Sequence, residues 1–185
     1  MPQNFQYPFV TKVSQPSVEP LTLAEIKLFL RIDGNSEDTL LTSLLAAARI
    51  SAEKYMRVSI INQQWKAVIQ KSASGRFYLP YGPVNSIDSV TSSNKAGQSA
   101  TVDSSFYHLE EGNRFIIFEP SVIAEKVEIT YSSGYGADST TIPESIKQGL
   151  LSQIAFMYEN RHSDKMSEYS PLAEKFFDPH RSIYL

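Results

Sequence analysis

The hydrophobic and polar positions along the chain change their period twice. Between Leu21 and about Arg57, apolar residues recur at intervals of three and four, which is the period of an amphipathic helix. From Gln63 to Tyr131 this period is lost, and short alternating runs such as WKAVIQ and KVEITY, typical of β-strands, replace it. Helical spacing returns after Pro143. The pattern therefore predicts helices in both outer parts of the chain and an antiparallel β region between them.

Two helices are predicted in the first helical region. Thr22 and Glu25 have the spacing of a capping box, in which each side chain satisfies a backbone N–H at the start of a helix. This first helix is expected to end at Gly34, because glycine readily adopts the left-handed conformation of a helix cap. A longer helix is expected over residues 37–57. Its apolar stripe consists of Leu40, Leu41, Leu44, Leu45, Ala48, Ala52 and Tyr55.

A glycine-rich stretch, Gly134-Tyr135-Gly136, lies between the last predicted strand and the next helix, where many proteins bind a phosphate. A P-loop needs a lysine directly after its second glycine, and here the next lysine is Lys147. A dinucleotide-binding turn needs a third glycine that opens the helix, and none is present. The stretch is therefore interpreted as a chain reversal from sheet to helix.

The last helical region is predicted to contain one long and one short helix. The long helix is expected to begin at a second capping box, formed by Thr141 and Glu144. A short helix is expected over residues 171–177, ended by Pro179. The stripe of the long helix, expected to pack on the helix of residues 37–57, consists of Ile146, Leu150, Ile154 and Met157 or Tyr158.

These elements predict an α+β fold. Three to four helices from the N- and C-terminal parts form a bundle, and an antiparallel β subdomain of five or six strands is inserted between them. Glu110–Asn113 is expected to join two of the strands as a hairpin. The expected organisation is an extended N-terminal arm at 1–20, a helical module at 21–62 and 137–170, an inserted β subdomain at 63–136 and a C-terminal docking segment at 171–185.

Composition and charge narrow the class of function. Of the 185 residues, 42% are hydrophobic and 20% charged, as in ordinary globular domains, and no apolar run is long enough to cross a membrane. The net charge of −3 argues against electrostatic binding of nucleic acid, which usually requires a basic face. The chain has no cysteine, which excludes disulfides, thiolate metal sites and cysteine nucleophiles.

Residues with catalytic or metal-binding chemistry are sparse. The chain has three histidines, His108, His162 and His180, and none has a partner at the spacing of a metal site. No G-x-S-x-G motif supports a serine nucleophile. No catalytic residue, metal or cofactor is therefore predicted. A hydrolase that uses His108 or His162 remains a less favoured alternative.

The last residues of the chain, SPLAEKFFDPHRSIYL, are rich in apolar and aromatic side chains, whereas termini are normally polar and frayed. Two interpretations remain open: the segment packs on its own domain, or it docks on another protein. Each buried Phe, Tyr or Leu contributes about 1.5–3 kcal/mol, so a few of them suffice for an anchor.

The order of these motifs resembles that of a known family. PLTLAEIKLFLRID precedes a long helix that ends near EKYMR, and QWKAVIQ, LPYGPVNSIDSVTSS, VEITYSSGYG, IPESIKQGLLSQIAFMYENR and DPHRSIYL follow. From about Pro20 to Leu185, this order is similar to that of the head–tail connector (adaptor) proteins of long-tailed phages and gene transfer agents. The sequence departs from the pattern at Gly149, where alanine is more usual, and in the linker HSDKMSEYSP.

The resemblance implies a structural, non-enzymatic protein of the virion, present in the host cytoplasm during assembly. Such adaptors form a ring, dodecameric in the virion, between the portal protein and a stopper or tail-completion protein, and the isolated subunit can be a monomer. DNA passes through the centre without sequence-specific binding. A mildly acidic protein suits this role, because a basic lumen would bind the phosphates.

The resemblance also assigns residues to the portal contact, and the physical requirements of a closed ring suggest where neighbouring subunits meet. The C-terminal segment is implied to reach the portal through Phe176, Phe177, Pro179, Arg181, Tyr184 and Leu185. Contacts between neighbouring subunits are expected on the stripes of the two long helices, at Leu41, Leu45, Ala48, Ala52, Ile146, Leu150 and Ile154. An alternative function is a tail-associated β module that recognises a ligand through its aromatic residues.

Overall fold

The computed structural model describes residues 8–70, 75–110, 112, 114–122, 124–161 and 168–182. Over these residues the chain forms four α-helices and eight β-strands, divided between two compact units. The β unit comprises Met1–Pro16 and Asn62–Gly134, and the helical unit comprises Ser17–Ile61 and Tyr135–Leu185. The predicted α+β class, with helices from both ends of the chain and an inserted antiparallel β region, is confirmed.

The helical unit is built from α1 (Leu23–Leu30), α2 (Asp38–Met56), α3 (Glu144–Glu159) and α4 (Pro171–Phe177). The capping box of α1 is confirmed: Thr22 Oγ1 accepts from the Glu25 N–H at 3.2 Å, and Glu25 Oε2 accepts from the Thr22 N–H at 2.7 Å. These reciprocal bonds satisfy backbone donors that have no partner within the helix. They fix the first residue of α1.

The predicted end of α1 is wrong. Arg31 is the cap that takes the left-handed conformation directly after the helix, with a φ of 56°. Gly34 also has a positive φ, 77°, but lies three residues beyond this cap. The next residue, Ile32, donates its N–H to the Lys27 carbonyl and packs its side chain on the helical core. An apolar contact of this kind often follows a left-handed cap, and it ends the helix earlier than the glycine does.

The predicted capping box of α3 is also wrong. α3 begins at Glu144, its N-cap is Pro143, and no side chain caps its backbone. Thr141 instead closes a short 3₁₀ turn, Ser139–Thr141, and its hydroxyl donates to the Asp138 carbonyl at 3.0 Å. The turn therefore uses the hydroxyl that a capping box needs.

The core of the helical unit contains one ion-pair network. Arg49 and Glu53 lie one turn apart on α2 and are only 4% and 2% exposed. Arg49 donates from Nε and Nη2 to the two carboxylate oxygens of Glu19, at 2.7 and 3.1 Å, and its Nη1 lies 3.5 Å from Glu53. Glu53 also accepts from the backbone N–H of Ile60 at 3.1 Å. The network links α2 to the segments that precede α1 and follow α2.

The β unit has two antiparallel sheets. Its strands are β1 (Phe9–Lys12), β2 (Gln63–Gln70), β3 (Arg76–Tyr78), β4 (Val84–Ser93), β5 (Ser99–Thr101), β6 (Tyr107–Leu109), β7 (Phe115–Phe118) and β8 (Lys126–Ser133). One sheet has the order β1-β2-β8-β4-β5, and the other has the order β3-β7-β6. The hairpin of β6 and β7 is confirmed, with Tyr107 opposite Phe118 and Leu109 opposite Ile116.

The number of strands exceeds the predicted five or six. Part of the expected N-terminal arm, Phe9–Lys12, is a strand that pairs with β2 at the edge of the larger sheet. The three-residue strand β5 is too short to show an alternating pattern in the sequence. The strands β1 and β5 therefore account for the difference.

The two sheets share one core, to which both contribute aromatic side chains. Burial alternates along β2 and β8, so that Trp65, Ile129 and Tyr131 face inward. Trp65 stacks on Tyr81 with ring centroids 4.0 Å apart, and Phe118 of the smaller sheet joins the same core. Most aromatic side chains of the described β unit are therefore used in packing.

Candidate docking surfaces

The residues predicted to contact neighbouring subunits are buried inside one chain, where none is more than 3% exposed. They are Leu41, Leu45, Ala48 and Ala52 of α2 and Ile146, Leu150 and Ile154 of α3. All of them belong to a single core cluster, through which α2 and α3 pack on each other. Their assignment to a subunit interface is therefore wrong, although the predicted pairing of the two helices is confirmed.

Phe177, predicted as a docking residue, also lies in this core. The side chain of Phe177, the last residue of α4, is fully buried. A Cβ atom built on Gly149 of α3 would lie 2.4 Å from Phe177 Cε1 and 2.8 Å from Cδ1. Only glycine leaves room for the ring, because the methyl group of an alanine at this position would overlap it. Phe177 therefore joins α4 to α3 and is not a free docking side chain.

The residues after α4 continue along the helical unit in a short 3₁₀ turn, Asp178–His180. Tyr55 of α2 donates its hydroxyl to Asp178 Oδ1 at 2.7 Å, and the Arg181 guanidinium lies 4.9 Å from the centre of the Tyr55 ring. The Ser182 N–H then donates to the Met56 carbonyl at 2.9 Å. The C-terminal segment is thus fixed to the end of α2 as far as Ser182.

His180 lies between two polar side chains of the same unit. Its Nε2 is 2.7 Å from Ser145 Oγ of α3, and its Nδ1 is 3.5 Å from the Tyr135 hydroxyl. Burial lowers the pKa of His180, because the partly covered ring loses the water that would solvate its charged form. The neutral ring is therefore favoured in the folded state.

This environment predicts that stability falls as the pH falls. Because the folded pKa lies below the unfolded value of about 6.5, the contribution of His180 is fully present above that value. It is lost progressively as the pH drops towards the lowered folded pKa. Urea unfolding at about pH 7.5 and about pH 5.5 should show a smaller loss for His180→Gln than for the wild type. An equal loss in both proteins would contradict this.

The predicted docking residues differ in their accessibility. Phe176 is half-buried, and Pro179 and Arg181 are exposed. Tyr184 and Leu185 lie outside the described residues. The accessible predicted residues in the described part of the segment are therefore Phe176, Pro179 and Arg181.

The features examined for catalysis do not form a common site. His108 is exposed on β6, and His162 lies outside the described residues. Within the described ranges, no cluster of three or more His, Asp and Glu side chains is placed to hold a metal ion. In the same part of the chain, no helix is long and apolar enough to span a membrane.

The β unit carries an open cleft of about 620 Å³ beside β6 and β7. Arg76 lies at its wall, pairs with Glu110 at 2.6 Å and covers the Phe115 ring, whose centre is 3.4 Å from the guanidinium carbon. The aromatic ring is therefore occupied by a side chain of the protein. This arrangement does not offer the aromatic platform expected of a ligand-binding β module.

The glycine-rich turn at the start of the helical unit is filled by its own side chains. A Cβ atom on Gly136 would lie 2.0 Å from Thr141 Oγ1, so the chain passes too close for any other residue. Asp138 accepts from the Thr140 N–H at 2.8 Å, and this bond and that of the Thr140 hydroxyl lower the pKa of Asp138. A carboxylate therefore occupies the donors that a phosphate would need.

Several apolar side chains that do not belong to the predicted apolar stripes are exposed on the helical unit. Leu28 is 83% exposed and Phe29 44% on α1, Ile50 is 50% exposed on α2, and Leu172 is 54% exposed on α4. A sequence signal for one of these surfaces exists, because residues 39–48 contain no charged residue.

Comparison with known proteins identifies the family to which this chain belongs. The family model for head completion proteins matches residues 19–168, which include most of both units. The chain belongs to the head completion protein family. Membership confirms the resemblance to head–tail connectors and the structural role that it implies. Among curated proteins, no sequence matches this head completion protein.

Solved structures with the same fold come from gene transfer agent particles. A chain from the neck of an empty particle, determined with C6 symmetry, superposes with a TM-score of 0.80 at 21% identity. A chain from the virion of a native particle has a TM-score of 0.79 at 21% identity, and one from a native neck with C12 symmetry has 0.77 at 20%. Each match covers 96% of this head completion protein and 97% of the other chain.

Proposed function

We propose that this head completion protein forms a ring between the portal protein and a stopper or tail-completion protein, with DNA passing through its centre. The family match across residues 19–168 carries the proposal. The chains of similar fold were determined in particle necks with C6 and C12 symmetry, which supports a ring of twelve copies. The protein is then a part of the virion, made and assembled in the host cytoplasm, where it is a monomer before assembly.

The proposed ring has no catalytic activity and no cofactor. Its role needs surfaces that fit neighbours, and neither the exposed His108 nor the filled glycine turn provides a reaction centre. A net charge of −3 favours passage of DNA, because the 20 acidic residues outnumber the 17 basic residues that could bind phosphates. The proposed function does not require sequence-specific recognition of DNA.

The portal contact is proposed to lie at the C-terminal segment, but it involves fewer residues than the sequence indicates. Phe177 belongs to the core, and the chain is fixed to α2 as far as Ser182. Phe176, Pro179 and Arg181 line the accessible part, and Tyr184 and Leu185 follow the last described residue. The apolar residues after Ser182 are the proposed anchor.

Removing residues 183–185 is expected to reduce capture of the protein on portal-bearing heads by at least about tenfold. Each buried apolar side chain contributes about 1.5–3 kcal/mol, and several copies that bind together multiply the loss. Capture is measured by co-sedimentation of purified protein with tailless heads. The thermal melting of the shortened protein should be unchanged, because the bond from Ser182 to Met56 remains.

The matched control for this truncation is Leu172→Ser. Leu172 is an apolar residue of α4 that is 54% exposed and is not part of the proposed anchor. Its replacement should leave capture as in the wild type. If the truncated protein binds heads as well as Leu172→Ser does, the portal contact lies elsewhere on the chain.

A further inference from the structure

The outward face of α2 is uncharged over about three turns. Thr39, Thr42, Ser43, Ala47 and Ile50 are exposed, and the two charged residues between Asp38 and Lys54 are buried in the ion-pair network. Exposed helix faces normally carry charged residues. Depletion of charge is instead typical of the central part of a protein interface.

Two of the three hydroxyl groups on this face are already paired. Thr42 Oγ1 donates to the Asp38 carbonyl at 2.8 Å, and Ser43 Oγ donates to the Thr39 carbonyl at 3.0 Å. Because these two donors are satisfied within the helix, an apolar surface can cover them without leaving their O–H groups unpaired. With alanine and Ile50 beside them, these residues form a shallow surface that accepts apolar side chains.

A second apolar surface lies on α1 and has the opposite shape. Leu28 and Phe29 project from it, with 83% and 44% of their surfaces exposed. They border a groove of about 240 Å³ between α1 and α3 that Leu21 and Leu151 also line. A monomer gains nothing by leaving two large apolar side chains in water beside a groove, so this surface also has the character of a contact.

The charges at the edges of the two surfaces are complementary. Glu25, Glu144 and Lys147 lie at the groove beside Leu28, and although Lys147 pairs with Glu144 at 2.8 Å, the groove keeps one more acidic than basic residue. The uncharged face of α2 ends at two exposed basic residues, Lys54, which pairs with Glu168 at 3.1 Å, and Arg57. Opposite charges around an apolar centre favour one register of contact and disfavour pairing of either surface with itself.

We propose that Leu28 and Phe29 of one copy pack on the Thr39–Ile50 face of α2 in the next copy. This inference rests on the proposed ring, in which every subunit must offer two different surfaces, one to each neighbour. The large side chains of α1 fit the small side chains of α2, and the groove, with its one excess negative charge, meets the end of α2 that carries Lys54 and Arg57. The buried stripes of α2 and α3 remain inside each subunit.

The absence of cysteine in the chain allows a direct test. The double variant Leu28→Cys/Ala47→Cys is incorporated into particles and treated with a short bis-maleimide. The expected result on a denaturing gel is a ladder of covalently linked oligomers, because each copy is joined to two neighbours. Each single variant is expected to remain monomeric. Both positions are exposed, so thermal melting should match the wild type.

The control pair is Leu28→Cys/Leu172→Cys, which has the same number of thiols and is expected to remain monomeric. The proposed contact is overturned if the first pair gives no ladder in particles that contain the protein. It is also overturned if Leu28→Cys alone gives dimers, because that result shows a symmetric contact. Absence of the unmodified protein from particles would instead overturn the proposed function, and this contact with it.

Discussion

Replacement of Phe177 by alanine is expected to lower the free energy of unfolding by about 3–5 kcal/mol. The ring is fully buried against Gly149, and its loss leaves a cavity between α4 and α3. Urea denaturation followed by circular dichroism measures the change. The neighbouring substitution Phe176→Ala provides the control. Because Phe176 is only half-buried, this substitution should lower the free energy of unfolding clearly less.

The same contact predicts that Gly149→Ala has opposite effects in two backgrounds. In the wild type the added methyl group overlaps Phe177, and overpacking of this kind costs about 1–3 kcal/mol. In the Phe177→Ala background the space is empty, and alanine should stabilise α3 by up to about 1 kcal/mol through its helix propensity. Stabilisation by Gly149→Ala in the wild type would show that the ring does not occupy this position.

Replacement of Arg49 by methionine is expected to destabilise the protein by about 3–5 kcal/mol, because it removes one partner of a buried ion pair. Glu53 is 2% exposed, and the substitution removes the guanidinium that lies 3.5 Å from its carboxylate. The exposed pair of Lys54 and Glu168 is the natural comparison, since its side chains are 69% and 60% exposed. Lys54→Met should cost at most about 1 kcal/mol.

A double variant separates the charge from the packing. Arg49→Met/Glu53→Gln removes both buried charges, while the glutamine oxygen can still accept from the Ile60 N–H. We expect this protein to be more stable than Arg49→Met alone, because a neutral amide replaces the buried carboxylate that has lost its guanidinium. Equal costs for Arg49→Met and Lys54→Met would contradict the assigned role of the network.

The sequence predicts those parts of the fold that depend on local chemistry. The capping box at Thr22 and the hairpin between β6 and β7 follow from short motifs, and both are present. The apolar stripes of α2 and α3 correctly indicate that the two helices pair. A stripe reports only that a face is covered, and gives no information about whether the same chain or a neighbour covers it. For that reason the stripes predict a subunit interface at Leu41 and the other stripe residues of α2 and α3, although these residues lie in the core of one chain.

Contacts between distant segments limit the prediction of the docking surfaces. The sequence shows an unusual glycine at position 149, but the reason for it is the ring of Phe177, which lies on another helix. Leu28 and Phe29 lie in the run IKLFL, where apolar residues occupy nearly every position, so the period does not show which of them face outward. The charge-free stretch of α2 was a usable signal for the exposed face.

The hydrogen bond from Ser182 to Met56 involves only main-chain atoms. A bond of this kind does not depend on which side chain residue 182 carries, so it can hold the segment in place when the sequence there changes. The C-terminal segment can therefore change in sequence to fit a different portal protein while the helical unit keeps its sequence. The same fold can in this way serve particles whose portal proteins have diverged.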